Sequence, residues 1–336
     1  MPALYVKARQ DRRVKRGHLW LYSNEVDVKR TPLDAFEPGD AVDVRSNAGE
    51  LIGRATVSPN NLICERLFSR AADATLDVPL FETRIRRALA LRETAFSTPH
   101  YRLVHADGDL LPGLILDRFG DVIVAQIGTA GVERGRDQLL EALENVCTPS
   151  AVLWRNDARA RTLEGLNAYV EVAAGALPRE VTAIEGDLRF VVDPVGGQKT
   201  GWYYDQRANR SDFVRWVRGK RVLDVFSYVG GWSVAAAKAG AASVTAVDSS
   251  EQAVASVLTN AEANGVSVDA LRADASAALK QLRAQGAEFD VIVLDPPALI
   301  TRRKDVQAGL KHYRALNQSA ARLLAPDGIL VSCSCS

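Results

Sequence analysis

Three aspartates, Asp248, Asp274 and Asp295, each close a short apolar run, and Cys333 closes another. Parallel strands end on one edge of their sheet, so carboxylates at successive strand ends would line one polar pocket at the place where such sheets bind ligands. One aspartate there is commonly a cap or turn residue; three in register favour a ligand. The pocket opens at Phe226-Ser227-Tyr228-Val229-Gly230-Gly231, between an apolar run at Val222 to Val225 and an alanine-rich stretch. Backbone N–H groups at a helix start can meet a polar ligand, and Asp248 then sits where a ribose diol would be gripped. A dinucleotide would ask for G-x-G-x-x-G, whose glycines let a pyrophosphate press against the backbone. Ser227 and Tyr228 stand where the early glycines should be. A ribose-bearing cofactor without phosphate fits better, and S-adenosylmethionine (SAM) is expected ahead of a nucleotide or of a purely structural strand-helix-strand unit.

The elements that must hold these residues alternate strand and helix from about residue 181. Ser249 to Gln252 reads as a capping box opening a helix with Ala253, Val254, Val257, Leu258 and Ala261 on one face and Asn264-Gly265 at its end. Val268 to Leu271 reads as a third strand. Phe289 to Leu294, nearly all apolar as a doubly covered parallel strand should be, reads as a fourth and runs into Asp295-Pro296-Pro297. A long helix near Asp305 to Leu324 and a fifth strand from Ile329 to about Cys333 follow. Residues 1–70 instead carry short strand-like runs broken by Pro38-Gly39-Asp40, Asn47-Ala48-Gly49 and Pro59-Asn60-Asn61, the pattern of a small β-barrel or sandwich. Residues 71–180 read as an α+β module. Its helix from Pro79 to Phe96 carries Leu80, Ile85, Leu89 and Phe96 at helical spacing, and a hairpin runs through Leu114 to Leu116, Phe119-Gly120-Asp121 and Val122 to Ile127. A further helix to about Val146 and a strand at Ala151 to Trp154 complete it. No catalytic constellation is visible there, so a spacer or substrate-positioning role is expected.

A chain of 336 residues with 47% hydrophobic content has ample core for two or three domains. No run approaches the roughly 20 apolar residues of a membrane span, and the first ten residues lack a secretory apolar core. The cytoplasm is therefore the expected compartment, and no membrane partner is expected. Cys64, Cys147, Cys333 and Cys335 have neither disulfide-framework nor zinc spacing. The net charge of +1 hides an asymmetry: Lys7, Arg9, Arg12, Arg13, Lys15 and Arg16 face only Asp11 in the first twenty residues. Such a cluster can offset phosphates and make binding salt-dependent, or it can be a solvated terminus. Trp20 and Tyr22 beside it could stack on bases; for Trp20 a core position is the expectation.

Arg221 to Asp248, Asp295-Pro296-Pro297, the upstream GGQKTGWYYDQRANR (Gly196 to Arg210), the central HADGDLLPGLILDRFGD (His105 to Asp121) and Ser332-Cys333-Ser334 together resemble the bacterial 23S ribosomal RNA large-subunit 5-methylcytosine methyltransferases. The resemblance spans essentially the whole chain. It implies a PUA domain over residues 1–70, a central α+β domain over 71–180 and a class I, Rossmann-like SAM-dependent methyltransferase domain over 181–336. It implies that Phe226, Ser227, Tyr228, Gly230, Gly231, Asp248, Asp274, Asp295 and Gln206 hold the cofactor, with Asp274 on the adenine side. Arg12, Arg13, Lys15 and Arg16 would contact the RNA, a homodimer is an admissible assembly, and no metal is expected. Carbon 5 of cytosine is too poor a nucleophile to take a methyl group unaided, and a thiolate adding to carbon 6 makes it reactive. Cys333 is the expected nucleophile, although a small buried strand residue is the common fate of a free cysteine. Asp295 is expected to hydrogen-bond the base near its amino group and N3.

Some residues depart from the family pattern. Cys335 stands where glycine usually follows Ser-Cys-Ser, and Ala298 and Leu299 are modest where a larger residue usually helps hold the base. Sheets of this class normally continue into a closing β-hairpin beyond the fifth strand, which this sequence is expected to lack. Two other readings stay open: methylation of an amino nitrogen, which needs no cysteine, and an RNA-binding relative without activity.

Overall fold

The computed structural model describes residues 1–335. The chain divides into two compact units, Met1–Val181 with Asp193–Trp202, and Thr182–Val192 with Tyr203–Ser336.

The first unit contains two sheets. Strands β1 (Ala3–Tyr5), β2 (Trp20–Tyr22), β3 (Ala41–Arg45), β4 (Leu51–Val57) and β5 (Ile63–Ser69) form one in the order β1-β3-β4-β5-β2, with a single helical turn α1 (Arg12–Lys15) between β1 and β2. Period-two alternation sets its core: Val42 and Val44 are buried while Ala41, Asp43 and Arg45 between them stay half exposed. Cys64 lies in this core with Leu4, Val6, Leu21, Val57 and Leu67, and burial pushes its thiol pKa up. It is a packing residue.

Helix α2 (Val78–Ala95) starts on Asp77, whose carboxylate accepts from Leu80 N at 3.0 Å, with Pro79 in the first turn where a missing N–H costs nothing. Its buried face is Phe81, Ile85 and Ala88, one residue round from the expected stripe, so Leu80 and Leu89 are half-buried. It packs on a second sheet of β6 (His100–His105), β7 (Leu114–Phe119), β8 (Val122–Ile127), β9 (Ala151–Asn156) and β10 (Tyr169–Gly175), ordered β10-β9-β8-β7-β6, with short α3 (Ala130–Arg134) and α4 (Arg136–Cys147) crossing from β8 to β9. That crossover makes β8 and β9 parallel in an otherwise antiparallel sheet. β10 is an edge strand that buries none of its residues fully, so it carries no apolar signature.

The second unit opens with a hairpin, β11 (Val181–Glu185) and β12 (Leu188–Val192), which precedes α5 (Arg207–Phe213). The main sheet follows: β13 (Arg221–Val225), α6 (Gly231–Lys238), β14 (Ser243–Asp248), α7 (Glu251–Ala263), β15 (Asp269–Arg272), α8 (Ala275–Ala284), β16 (Phe289–Leu294), α9 (Val306–Ala321) and β17 (Leu324–Ser332). All five strands are parallel, in the order β15-β14-β13-β16-β17. The second unit is thus a parallel α/β sheet with helices between its strands, and the N-terminal end of the chain is a small β-module. The central strands are the most apolar because both faces are covered, and β16 spans the same residues as its apolar run.

Three local expectations shift. The helix after Asp248 is capped by Ser250, whose hydroxyl accepts from Ala253 N at 3.3 Å, so the expected Ser249–Gln252 box is displaced by one residue and Leu258 is 49% exposed. The third strand is Asp269–Arg272 at the sheet edge, with Val268 just before it. β17 begins at Leu324 and takes in the turn-like Pro326-Asp327-Gly328 as an irregularity, its register passing from Phe289↔Leu324 to Val291↔Ile329.

Candidate active site

The carboxyl edge of the main sheet is built first by backbone. The N–H groups of Phe226 and Ser227 both donate to Val247 O, at 2.9 and 3.0 Å, which turns the chain sharply out of β13. The turn forces Phe226 (φ 68°), Tyr228 (φ 50°) and Gly230 (φ 87°) into the left-handed region. Two side-chain-bearing residues held there within three positions store strain, a condition that clusters at ligand sites. At Gly230 a Cβ would also meet Val257 at 3.3 Å, so the position admits only glycine. Asp248 fixes the loop from the neighbouring strand: Oδ2 accepts from Tyr228 N at 3.0 Å and Oδ1 from Ser250 N at 2.9 Å. Each carboxylate oxygen has two lone pairs, so the held group still has acceptor capacity for two vicinal hydroxyls. Asp248→Ala is expected to weaken SAM binding by about 1–3 kcal/mol through the lost charge-assisted bonds and the loosened loop. Calorimetry checks it; an unchanged affinity would take the ribose away from Asp248.

Asp224, an acid inside the apolar strand β13, was not anticipated, although a charge in a doubly covered strand is itself a signal. It is fully buried; Oδ2 accepts from Ser233 N at 3.0 Å and Ser233 Oγ at 2.5 Å, while Oδ1 has no partner among the described residues. Burial pushes its pKa up to about 7 against those hydrogen bonds, with the negative charges of Asp295 and Asp248 adding to the rise. The Ser227 hydroxyl, 3% exposed, is likewise without a partner among the described residues. An unsatisfied buried carboxylate oxygen and hydroxyl in the strand and loop that Asp248 braces are polar groups that a polar ligand end, such as the ammonium of SAM, would suit. The residues present fit that cofactor.

Asp295 and Cys333 each stand one residue past the end of a strand and are still tied to the ladder, Asp295 N to Val225 O at 3.3 Å and Cys333 N to Leu294 O at 2.8 Å. The Asp295 carboxylate is held by Gln206 Nε2 on Oδ1 at 3.2 Å and by Trp232 Nε1 on Oδ2 at 3.1 Å. Trp232 in turn meets Phe213 edge-on, ring centroids 5.3 Å apart. Trp232 was not foreseen as a site residue, since an aromatic in a helix's first turn reads as core. A cavity of about 340 Å³ is lined by Gln206, Asn209, Phe213, Trp216, Trp232 and Cys333. Burial first, then the charge of Asp295, push the Cys333 thiol up to about 12, opposed by its hydrogen bond with Gln206. Cys335 is exposed. Asp274, also exposed, accepts from Ala277 N at 3.0 Å as the cap of α8, which accounts for an aspartate there without a ligand.

Two buried asparagines hold the loop from behind. Asn260 on α7 accepts from Val191 N at 2.7 Å and donates to Val191 O at 3.3 Å and Val229 O at 2.9 Å. Asn264 accepts from Arg189 N at 3.0 Å and donates to Arg189 O at 2.6 Å. One helical turn apart, the two amides act as a surrogate strand for β12, and Asn260 also clamps the carbonyl just before Gly230. The detectable signal was two polar residues four apart on an apolar face. Asn260→Ala leaves several buried backbone groups unpaired and is expected to cost about 3 kcal/mol of stability. Denaturant unfolding checks it; a loss within ~0.5 kcal/mol would mean the clamp is idle.

Of the four basic residues singled out at the N-terminal end, two are engaged. Arg13 donates to Glu25 at 2.8 Å and to Trp20 O at 3.2 Å and lies over the Tyr22 ring, so it braces the β-module. Lys15 pairs with Asp11 at 2.8 Å and Glu50 at 3.1 Å. Arg12 and Arg16 are exposed and make no ion pair among the described residues.

A parallel sheet in this order, with a strained glycine loop at its first strand and a carboxylate at the end of the second, defines a class I SAM-dependent methyltransferase. Residues 154–336 match the S-adenosylmethionine-dependent methyltransferase family and residues 4–70 the PUA-like domain. Ribosomal RNA large subunit methyltransferase I of Photobacterium profundum is 35% identical over 342 residues, covering 99% of this chain and 85% of the relative. The protein of the same name from Shewanella denitrificans is 37% identical over 338 residues, covering 98% and 85%. Among solved structures, a Streptococcus mutans protein assigned as a SAM-dependent methyltransferase superposes with a TM-score of 0.82 at 25% identity, over 99% of this chain and 85% of that one. A methyltransferase-assigned structure complexed with SAH, the demethylated cofactor, superposes at 0.84 with the same identity and coverage. The chain belongs to the ribosomal RNA large subunit methyltransferase I family, and its cofactor is SAM.

Proposed function

We propose that this enzyme methylates carbon 5 of a cytosine in 23S ribosomal RNA through a covalent bond between Cys333 and the base. The observation that carries the reading is the placement of Cys333 and Asp295 at the ends of adjacent strands β17 and β16, both tied to the ladder, on one edge with Asp248 and the Gly230 loop. The name of the relatives supports the ribosomal substrate, and the cytoplasm, where ribosomes are, is the expected compartment.

The residues divide the work. Bound SAM supplies an electrophilic methyl group. Asp295, aimed by Gln206 and Trp232, accepts from the amino group of cytosine and from a protonated N3. The thiol proton leaves toward N3 as sulfur bonds to carbon 6, which makes carbon 5 an enamine carbon able to attack. After methylation the carbon 5 proton is lost to solvent, the electrons of that bond re-form the 5,6 double bond and expel the Cys333 sulfur, and the N3 proton returns to it. The raised thiol pKa fits this order: Cys333 stays protonated until a base neutralises Asp295, which prevents idle reaction. The test is methylation of unmodified 23S ribosomal RNA with radiolabelled SAM, followed by nucleoside analysis. Label in 5-methylcytidine is expected; label on an amino nitrogen overturns the carbon 5 chemistry.

Arg12 and Arg16, exposed next to each other in space on α1 and its C-terminal end, are two residues of the basic cluster open to phosphate. Reversing both to Glu is expected to weaken RNA binding and lower the slope of log K against log salt by about 1–2, with SAM affinity unchanged. Filter binding across a salt series checks this. An unchanged slope would leave the cluster a solvated surface.

A further inference from the structure

A second cavity, of about 330 Å³, lies in the first unit, far along the chain from the catalytic residues. Gly17, His18 and Trp20 of the β-module line one side and Asp107, Gly108 and Leu110 of the second sheet's first connection line the other. Its walls are chemically mixed. The His18 and Trp20 rings meet edge-to-face at 5.5 Å, and Trp20 Nε1 donates to Asp107 Oδ1 at 2.7 Å. Asp107 Oδ2 has no protein partner among the described residues.

The turn carrying Asp107 is strained and held under strain. Ala106 (φ 43°) and Leu110 (φ 61°) flank it in the left-handed region without being glycine. Arg92 grips Asp109 through two hydrogen bonds of 2.9 and 2.6 Å, and Arg84 donates to Leu110 O at 2.6 Å. Strained backbone fixed this firmly clusters at ligand clamps. Arg16, the residue before Gly17 in the chain, is exposed, with Arg12 one turn back on α1.

We propose that this cavity is a nucleobase pocket that takes one unpaired guanine of the RNA; it rests on the RNA reading above. An aromatic pair supplies a stacking wall, the volume is that of a small-molecule site, and Arg16 and Arg12 stand where a flanking phosphate would lie. The carboxylate selects the base. Guanine presents two adjacent donors, N1–H and the 2-amino group, which match the two oxygens of Asp107, the indole-bound oxygen keeping a lone pair free. Uracil offers one N–H between two carbonyls, and adenine and cytosine each offer an amino group beside an acceptor nitrogen, so the carboxylate opposes an acceptor in all three.

The test uses the full chain without SAM and fluorescence anisotropy with single-stranded RNAs in which uridine runs flank one variable nucleotide. Guanine is expected to bind about tenfold or more tighter than the other bases, inosine, lacking the 2-amino group, to lose much of that, and Asp107→Asn to abolish it. Trp20→Phe keeps a ring but releases Asp107 from the indole, so it should retain the guanine preference. No base preference in the wild type, a preference that survives Asp107→Asn, or a folded Trp20→Phe variant that no longer discriminates would each overturn the proposal. The last would mark the contact as a latch between the two sheets. Because methyl transfer is not read, the pocket fails or stands independently of Cys333.

Discussion

Cys333→Ala is expected to abolish methyl transfer while leaving SAM affinity within about twofold of the wild type. The substitution removes the one thiol among the described residues lining the cavity, and without its adduct carbon 5 has no nucleophilic character. The affinity should persist because the strained loop, Asp248 and Asp224 are untouched. Cys335→Ala should retain most activity: Cys335 lies three residues beyond the end of β17 and is exposed, whereas Cys333 is pinned by its N–H to Leu294 O at 2.8 Å. A nucleophile must be held near attack distance to profit from proximity. The pH dependence follows from the route of the proton. With its pKa pushed up to about 12, Cys333 stays protonated from neutral to mildly alkaline pH, and its proton is the one that moves to N3. kcat/KM, which reports the free enzyme, should therefore show no rising limb for this thiol over that range. A profile that climbs steadily with pH would mean that a preformed thiolate attacks and that N3 takes its proton from elsewhere.

Asp295→Asn is expected to slow methyl transfer by about 10²–10³, the scale of removing one preorganised charge from a site where charge develops. The variant also separates two roles of one carboxylate. In the resting enzyme the Asp295 charge, after burial, holds the thiol protonated. Removing the charge should make Cys333 react faster with iodoacetamide, measured site by site by mass spectrometry, even as turnover falls. The two changes in opposite directions distinguish loss of base recognition from collapse of the site, which would slow both. Near-normal turnover in Asp295→Asn would sink the role assigned to this residue. Asn at this position also turns one donor toward Gln206 Nε2 or Trp232 Nε1, so a modest loss of stability should accompany it.

What the sequence made legible follows from how each element is buried. β13 and β16 are covered on both faces, so their apolar runs were readable to within a residue, and with them the chain positions of Asp248, Asp295 and Cys333 at one sheet edge. β15, at the rim, buries none of its residues fully and its start was misjudged by one. The β11–β12 hairpin escaped notice because side-chain amides of Asn260 and Asn264, distant in sequence, do the pairing that a third strand would do. Trp232 and Asp224 were missed for a related reason: each looks like a core position until its polar atom is traced, to Asp295 and to Ser233. The basic cluster misled in the other direction. A run of like charge suggests one face, but α1 is a single turn, and it points Arg13 inward to Glu25. Asp274 shows the limit of the three-aspartate argument, since its carboxylate is explained by capping α8.

The central claim, that Cys333 bonds covalently to the base, is tested most directly by 23S ribosomal RNA carrying 5-fluorocytidine. Fluorine at carbon 5 cannot leave as a proton does, so the adduct persists after methyl transfer and the cross-linked peptide can be sequenced. The account predicts a SAM-dependent protein–RNA adduct mapped to Cys333, present in Cys335→Ala and absent in Cys333→Ala. An adduct on Cys335, or none from an enzyme that still methylates the unmodified RNA, would contradict it.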